Sequence, residues 1–535
     1  MNNSINPNSQ YYSIVPQNGT TFTAGNKVIF EINPNVAFVK GKDCYLCLDV
    51  FNSSTNKEMW AYPNVAGANS LIERMDIYSL NNGTLLESLS NYNQWSGLEN
   101  QYLYDVKDGI VSREGVSKEC HAYNVSQNQT TGVTTHSINE RVASNLSDVL
   151  VSQVEGANAL YMAKRFCIPL RSGIFNWWNL EEKLTPVVLY GGLRIEITLA
   201  DNNKVCKCIY GKDDTQTYDL YNGGVSIAND AAVGGANTGN LTSQQNYSNV
   251  EDSGLVIGNK FTLTGNLDGG GGGQTKTGEI TNLSIAANKL VIAFKLDGGV
   301  TLTNIAGGTA ALTLTSFNPS YTLKKAELKL LQVLPTQQMM NMVAKESQIE
   351  FLSYDLFLDT LPNSSLSHQT EINSVANRGK AVFSMLSNVN NEDDRNDPSY
   401  YNGVMPNDRA DSRSARLNSV QYFINNKLFP LHDYNPQRTH DKVQSHNELI
   451  KAWSSINKPC KNLGDSKGAN MADYTNSFLV SRELARENMV YPLKNSEAEL
   501  RTKYDNTRAF NCRIYTYVFS EKIVNVSDGG LSVIL

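Results

Sequence analysis

One β-rich plan occurs twice along this chain, and that constrains its fold more than any other feature. Near the front, the run from Ile72 to Glu87 reads as an apolar strand, an Asn-rich tight turn and a second strand. Near the back, the run from Val420 to Pro430 repeats that order. Each leads into a stretch with a Trp at helical spacing: Trp95, Leu98 and Tyr102 in the first case, Leu449, Ile450 and Trp453 in the second. Each is followed further on by an Arg-Ile strand, Leu193 to Leu199 and Cys512 to Phe519. In the former, Leu193, Ile195, Ile197 and Leu199 fall on one face and Arg194, Glu196 and Thr198 on the other, the period of two that marks a half-buried strand.

A chain of 535 residues exceeds one ordinary core, so at least two large domains are expected. The hydrophobic share of 40% is enough for real cores, and the charged share of 18% is low. Abundant Asn, Ser, Thr, Gly and Tyr suit strands and polar turns. The net charge of −6 comes without a long Lys/Arg run, so no electrostatic case exists for tight or sequence-specific nucleic-acid binding. No apolar run is long enough to span a bilayer as a helix.

The expected organisation is all-β. Residues 1–20 read as a polar N-terminal tail and residues 21–334 as a first module. Within that module, residues 203–318 are rich in Gly, Asn and Thr yet carry strand-like pieces, and read as an inserted β-rich protrusion. Residues 335–348 read as a linker and residues 349–535 as a second module. Asn82-Gly83 predicts a two-residue primed turn, and Gly191-Gly192 a hairpin between the Leu184 and Leu193 strands.

No motif carries catalysis, and no catalytic, cofactor-binding or metal-ligating residue is assigned. Cys44, Cys47, Cys120, Cys167, Cys206, Cys208, Cys460 and Cys512 are expected as free thiols rather than disulfides. Cys44-x-x-Cys47 and Cys206-x-Cys208 lack zinc-knuckle spacing. The glycines at 269–273 are not followed by the Lys-Ser/Thr and helix of a phosphate loop. The acidic run from Asn391 to Asp397 lacks the calcium-loop pattern. The histidines (His121, His136, His368, His432, His440, His446) form no His-Glu-x-x-His. Trp177-Trp178 could stack on sugars, but such aromatics more often fill a core or interface.

Taken in order, the Ile72 hairpin, the Ile168-to-Phe175 segment, the Leu-Thr-Pro strand at Leu184 and the Leu193 strand resemble the first jelly roll of double jelly-roll major capsid proteins. The Val420-to-Pro430 element resembles part of their second jelly roll. The likeness is nearest to the Polinton-like viruses and virophages, within the lineage that includes adenovirus hexons and giant-virus capsid proteins. It implies two tandem eight-stranded jelly rolls and a homotrimeric, pseudo-hexameric capsomer. It further implies assembly with neighbouring capsomers, penton and other minor capsid proteins into an icosahedral shell around double-stranded DNA. The localisation implied is the virion, after synthesis in the host cytoplasm or a viral factory, with no cofactor. The length and composition of the outer loops, taken by themselves, point to contact with the host surface. Two other functions share parts of the composition: a secreted or surface glycan-binding β-sandwich, and a β-sandwich glycoside hydrolase with a distant carboxylate pair.

Overall fold

The structure is a computed structural model. It describes residues 9–54, 60–61, 66–103, 113–114, 124–127, 134–137, 150–151, 164–179, 183–206, 225–227, 237–247, 250, 253, 255, 257–265, 267, 273–299, 310–314, 319–343, 348–389, 417–435, 439–458, 479–485, 489–494, 497–504, 511–527 and 530–534.

Alternating apolar residues build the first module as two facing sheets. Its strands are β1 (Ser9–Ile14), β2 (Thr21–Thr23), β3 (Lys27–Ile32), β4 (Phe38–Lys40), β5 (Tyr45–Asn52), β6 (Trp60–Ala61), β7 (Ile72–Ser79) and β8 (Leu85–Ser90). Helix α1 (Tyr92–Leu103) follows, then β9 (Asn124–Gln127), β10 (Thr134–Ser137), β11 (Leu150–Val151), β12 (Lys164–Pro169), β13 (Leu184–Thr185) and β14 (Leu193–Leu199). A single helical turn, α2 (Asn202–Val205), leads to the insertion, and the chain returns on β21 (Tyr321–Val333). One sheet runs β3-β14-β7-β8. In the other, β12, β5 and β21 are neighbours, β1 and β2 both pair with β21, and β4 with β13 extends its end. Val28, Phe30, Ile32, Met75, Ile77, Leu193, Ile195 and Ile197 from one sheet, and Leu46, Leu48, Val50, Leu323, Leu328 and Leu330 from the other, are buried in one apolar core. Such faces supply most of the stabilisation, at roughly 25 cal/mol per Å² of apolar surface removed from water.

The second module follows α3 (Gln337–Val343) and comprises β22 (Gln348–Leu361), β23 (Ser367–Glu371), β24 (Gly379–Asn388), β25 (Leu417–Ile424), β26 (Lys427–Tyr434), β27 (Leu479–Glu483), β28 (Ala498–Tyr504), β29 (Cys512–Ser527) and β30 (Gly530–Ile534). Helix α4 (Thr439–Ser455) stands between β26 and β27, as α1 stands after β8. Its sheets run β22-β29-β24-β27 and β23-β28-β25-β26, with β30 added beside β29.

The two modules share one topology. Counting β1 and β2 as one interrupted strand, the eight principal strands of the first are β1/β2, β3, β5, β7, β8, β12, β14 and β21. In both modules, one sheet then has the order first-eighth-third-sixth and the other second-seventh-fourth-fifth. That is the jelly roll, in which two Greek keys leave few open edges. The chain is therefore all-β, with two tandem jelly rolls.

Residues 225–314 hold a separate closed barrel: β15 (Val225–Ile227), β16 (Thr238–Asn246), β17 (Lys260–Gly265), β18 (Gln274–Ala286), β19 (Lys289–Leu296) and β20 (Ala310–Leu314). The order is β15-β16-β19-β18-β17-β20, with β20 paired back to β15. Leu241, Phe261, Leu263, Ile280, Ile292, Phe294 and Leu312 are buried. The barrel sits between the seventh and eighth strands of the first jelly roll. Its two stems meet at the base, where the Tyr321 backbone N–H donates to Asn202 Oδ1 at 3.4 Å.

Several expectations are corrected. Ser9–Ile14 of the expected tail is a strand in full register with β21, because Ile14 turns inward and the edge of β21 offers free backbone groups. The turn after Ser79 is longer than two residues: Gly83 N–H donates to Ser79 O at 3.0 Å and Ser79 N–H to Thr84 O at 2.9 Å, with positive φ at Gly83 alone. The Asn425-Asn426 turn, by contrast, has both residues at positive φ (51° and 59°) and is the tight primed form. Gly191-Gly192 makes no hairpin. β13 pairs with β4 in one sheet and β14 with β3 and β7 in the other, so the pair carries the chain between layers. A Cβ on Gly192 would sit 2.8 Å from Ile32 O, so glycine is required there for close approach as well as for its φ of 89°. Finally, the two Arg-Ile segments are not equivalent. β14 is a seventh strand and its counterpart is β28, whereas β29 is an eighth strand and its counterpart is β21.

Candidate functional site at the intermodule junction

The helical spacing of Trp95, Leu98 and Tyr102 puts all three on the buried face of α1. Trp95 reaches out of its own module and into the aromatic centre of the other. Its ring lies 4.7 Å from Phe519, 5.0 Å from Tyr517, 5.3 Å from Trp453, 5.4 Å from Phe383 and 5.6 Å from Tyr354, centroid to centroid. These separations fall within the range where aromatic pairs add about 0.5–1.5 kcal/mol each beyond area burial. Trp178, also fully buried, adds edge contacts to Phe519 at 5.3 Å and Tyr354 at 5.9 Å.

A buried polar network lies beneath these rings. Glu99 is one turn after Trp95 on α1 and wholly buried. Its Oε1 accepts from the Trp95 and Trp178 indoles at 3.1 and 2.5 Å, and its Oε2 from the Trp177 indole at 2.9 Å and Arg171 at 3.4 Å. Arg171, 1% exposed, also donates to Ser96 O at 2.8 Å, Asn100 Oδ1 at 2.6 Å and Glu114 Oε2 at 2.9 Å. Buried charges persist only when paired and hydrogen-bonded in this way. The Arg171 guanidinium and the Lys458 ammonium approach the Trp177 ring at 5.6 and 4.2 Å.

A second link is Glu87, buried on β8. Oε1 accepts from the Gly173 N–H at 2.9 Å and from Ser353 Oγ of the second module at 2.6 Å; Oε2 accepts from the Ile174 N–H at 3.3 Å and from the Ser172 hydroxyl. Burial raises its pKa from the ordinary 4.5, and the four donors oppose that shift without reversing it. A carboxyl with a raised folded pKa holds its proton more readily folded than unfolded. The stability it contributes is therefore fullest at acid pH and declines as pH rises from the ordinary carboxylate range through the folded value. Glu87→Gln is expected to flatten the corresponding part of the stability-versus-pH curve, measured by urea titration across that window. An unchanged slope would show that Glu87 titrates normally. Backbone contact here is close: a Cβ on Gly173 would lie 2.0 Å from Leu352 O. Tyr354 Oη donates to Ser90 O at 3.1 Å and Asn457 Nδ2 to Trp178 O at 3.2 Å, completing the polar rim.

This arrangement is a structural weld. Trp177 and Trp178 are committed to Glu99 and to the junction, which removes them as a sugar-stacking platform. Cys44 is buried and its thiol donates to Lys40 O at 3.4 Å, while Cys47 faces Cys167 instead, so Cys44 and Cys47 share no ligand set. Cys206 is buried. His368 pairs with Asp359 at 2.8 Å. His136 lies on β10, His432 on β26, and His440 and His446 on α4. Cys120, His121, Cys208, Cys460, the glycines at 269–272 and the run at 391–397 lie outside the described residues. The sequence pointed to Trp95 and the Trp pair by spacing and bulk. Glu87, Glu99 and Arg171 gave no signal, since a lone charged residue in a strand or loop reads as solvated.

No protein-family model matches the chain, and no curated protein sequence matches it. Among solved structures, it is similar to PBCV-1 VP54 fitted into a reconstruction of the virophage Sputnik, with 11% identity, coverage of 99% of this chain and 97% of the other, and a TM-score of 0.47. It is similar to the Faustovirus major capsid protein, with 10% identity, 98% and 92% coverage and a TM-score of 0.47. The mavirus major capsid protein aligns at 11% identity, 98% and 90% coverage and a TM-score of 0.35.

Proposed function

We propose that this chain is a viral major capsid protein whose role is assembly and not catalysis. The observation that carries this reading is the pair of jelly rolls with one strand order, fixed side by side in one polypeptide by the aromatic and Glu99–Arg171 junction. Two like blocks held rigidly make a tile that carries one unit twice. Three such chains around a threefold axis give six similar blocks, a near-hexagonal capsomer. One surface patch can then serve many neighbours in a closed shell.

On this reading the capsomers meet one another, penton and other minor capsid proteins in an icosahedral virion enclosing double-stranded DNA. The division proposed is a first jelly roll to about residue 334, a link at 335–348 and a second jelly roll from 349. The closed barrel, inserted between the seventh and eighth strands of the first jelly roll, is assigned to the outer surface, where it is available to the host.

Sedimentation of the purified full chain tests the trimer, with a species of three 59.1-kDa chains as the expected result. A monomer at micromolar concentration would contradict it. Because the stems of the barrel meet at Asn202 and Tyr321, replacing residues 210–315 with a short linker should leave that trimer intact. Loss of all soluble trimer would show that the barrel is part of the assembly framework.

A further inference from the structure

We propose that Cys47 and Cys167 are a thiol pair built to close into a disulfide under oxidising conditions, stapling the third strand of the first jelly roll to the sixth. They are direct partners in the antiparallel register of β5 and β12. Direct antiparallel partners have Cα atoms about 4.5–5.5 Å apart, inside the roughly 4.4–6.8 Å that a disulfide spans. Their sulfurs already face each other at 3.4 Å, and both thiols are free. The strand period sends both to the face opposite the core: Leu46, Leu48, Phe166 and Ile168 point inward and are buried, while Cys47 and Cys167 alternate with them.

The register that aligns the sulfurs is pinned from the same face. Arg165 and Asp49, the next partners on that side, form a two-pronged pair at 2.5 and 3.2 Å. A one-residue slip would break this pair and turn the strands' apolar residues outward. Cys167 is partly exposed, whereas Cys44, Cys206 and Cys512 are buried. Burial pushes the Cys47 thiol up to about 12, which disfavours it as the initial attacking thiol.

The reaction balances with a small-molecule disulfide such as oxidised glutathione. The Cys167 thiolate attacks one glutathione sulfur and expels one glutathione thiolate, leaving a mixed disulfide. Cys47 then gives up its proton to the medium, attacks the Cys167 sulfur and expels the second glutathione. Two protein thiols are oxidised and one glutathione disulfide is reduced to two thiols. The bridge joins positions 120 residues apart, so it restricts a long loop of the unfolded chain.

The test is to incubate the folded full chain with oxidised glutathione, alkylate the remaining thiols, and map peptides without reduction. The expected result is a Cys47–Cys167 linked peptide, with loss of two hydrogens from the intact mass and a rise in Tm on the order of 5 °C. Cys167→Ser and Cys47→Ser should each abolish the linked peptide and the Tm rise. The mapping on wild-type protein stands even if a variant misfolds. Persistence of both thiols in alkylatable form, accumulation of stable glutathione adducts, or a different pairing would each overturn the proposal.

Discussion

Arg171→Met should destabilise the folded chain by about 3–5 kcal/mol, the range for removing one partner from a buried ion pair. The size follows from what the substitution leaves behind. Glu99 and Glu114 are 0% and 1% exposed, and Arg171 is the cation that contacts both. Arg113 also meets Glu114, at 2.5 Å, but is half-exposed and cannot replace Arg171 at Glu99. Met fills much of the space without returning the charge or the hydrogen bonds to Ser96 O and Asn100. Arg171→Lys should recover only part of the loss, because an ammonium cannot reproduce the forked contacts. Urea unfolding followed by Trp fluorescence measures both variants. A change under 1 kcal/mol for Arg171→Met would show that the network is dispensable.

Trp95→Ala should be as costly, about 3–5 kcal/mol for a large buried aromatic, and it should also change the form of the transition. Trp95 belongs to the first jelly roll by sequence but touches five aromatic rings of the second. Its removal leaves a cavity at the contact between the modules and one indole fewer on Glu99. Calorimetry is expected to resolve two transitions in the variant where the wild type shows stronger coupling. Trp95→Phe, which keeps a ring, should lie between. An undivided transition at the wild-type temperature would place the coupling elsewhere.

Much of the fold was legible in the sequence because strand alternation is a local signal. The Leu193–Leu199 strand, both fourth-to-fifth-strand hairpins and the helices that follow them lie where the periodicity places them. The Trp95 face was legible for the same reason. Long-range pairing was not. The Gly191-Gly192 pair reads locally as a hairpin, and only the partners of β13 and β14 show that it crosses between layers. The two Arg-Ile strands look alike because both alternate, yet their places in the two sandwiches differ. Ser9–Ile14 reads as tail because four of its six residues are exposed, and it is a strand because β21 is long enough to accept it. At the junction, the indoles were visible as bulk, whereas the carboxylate that gathers them was not. Three of its four donors, Arg171, Trp177 and Trp178, lie 72 to 79 positions away.

Electron microscopy of the purified full chain measures the proposed tile most directly. The expected image is a threefold particle of near-hexagonal outline, with six similar sandwich densities and three added barrels on one face. Single chains, or rings whose order cannot place two sandwiches per polypeptide around a threefold axis, would contradict it.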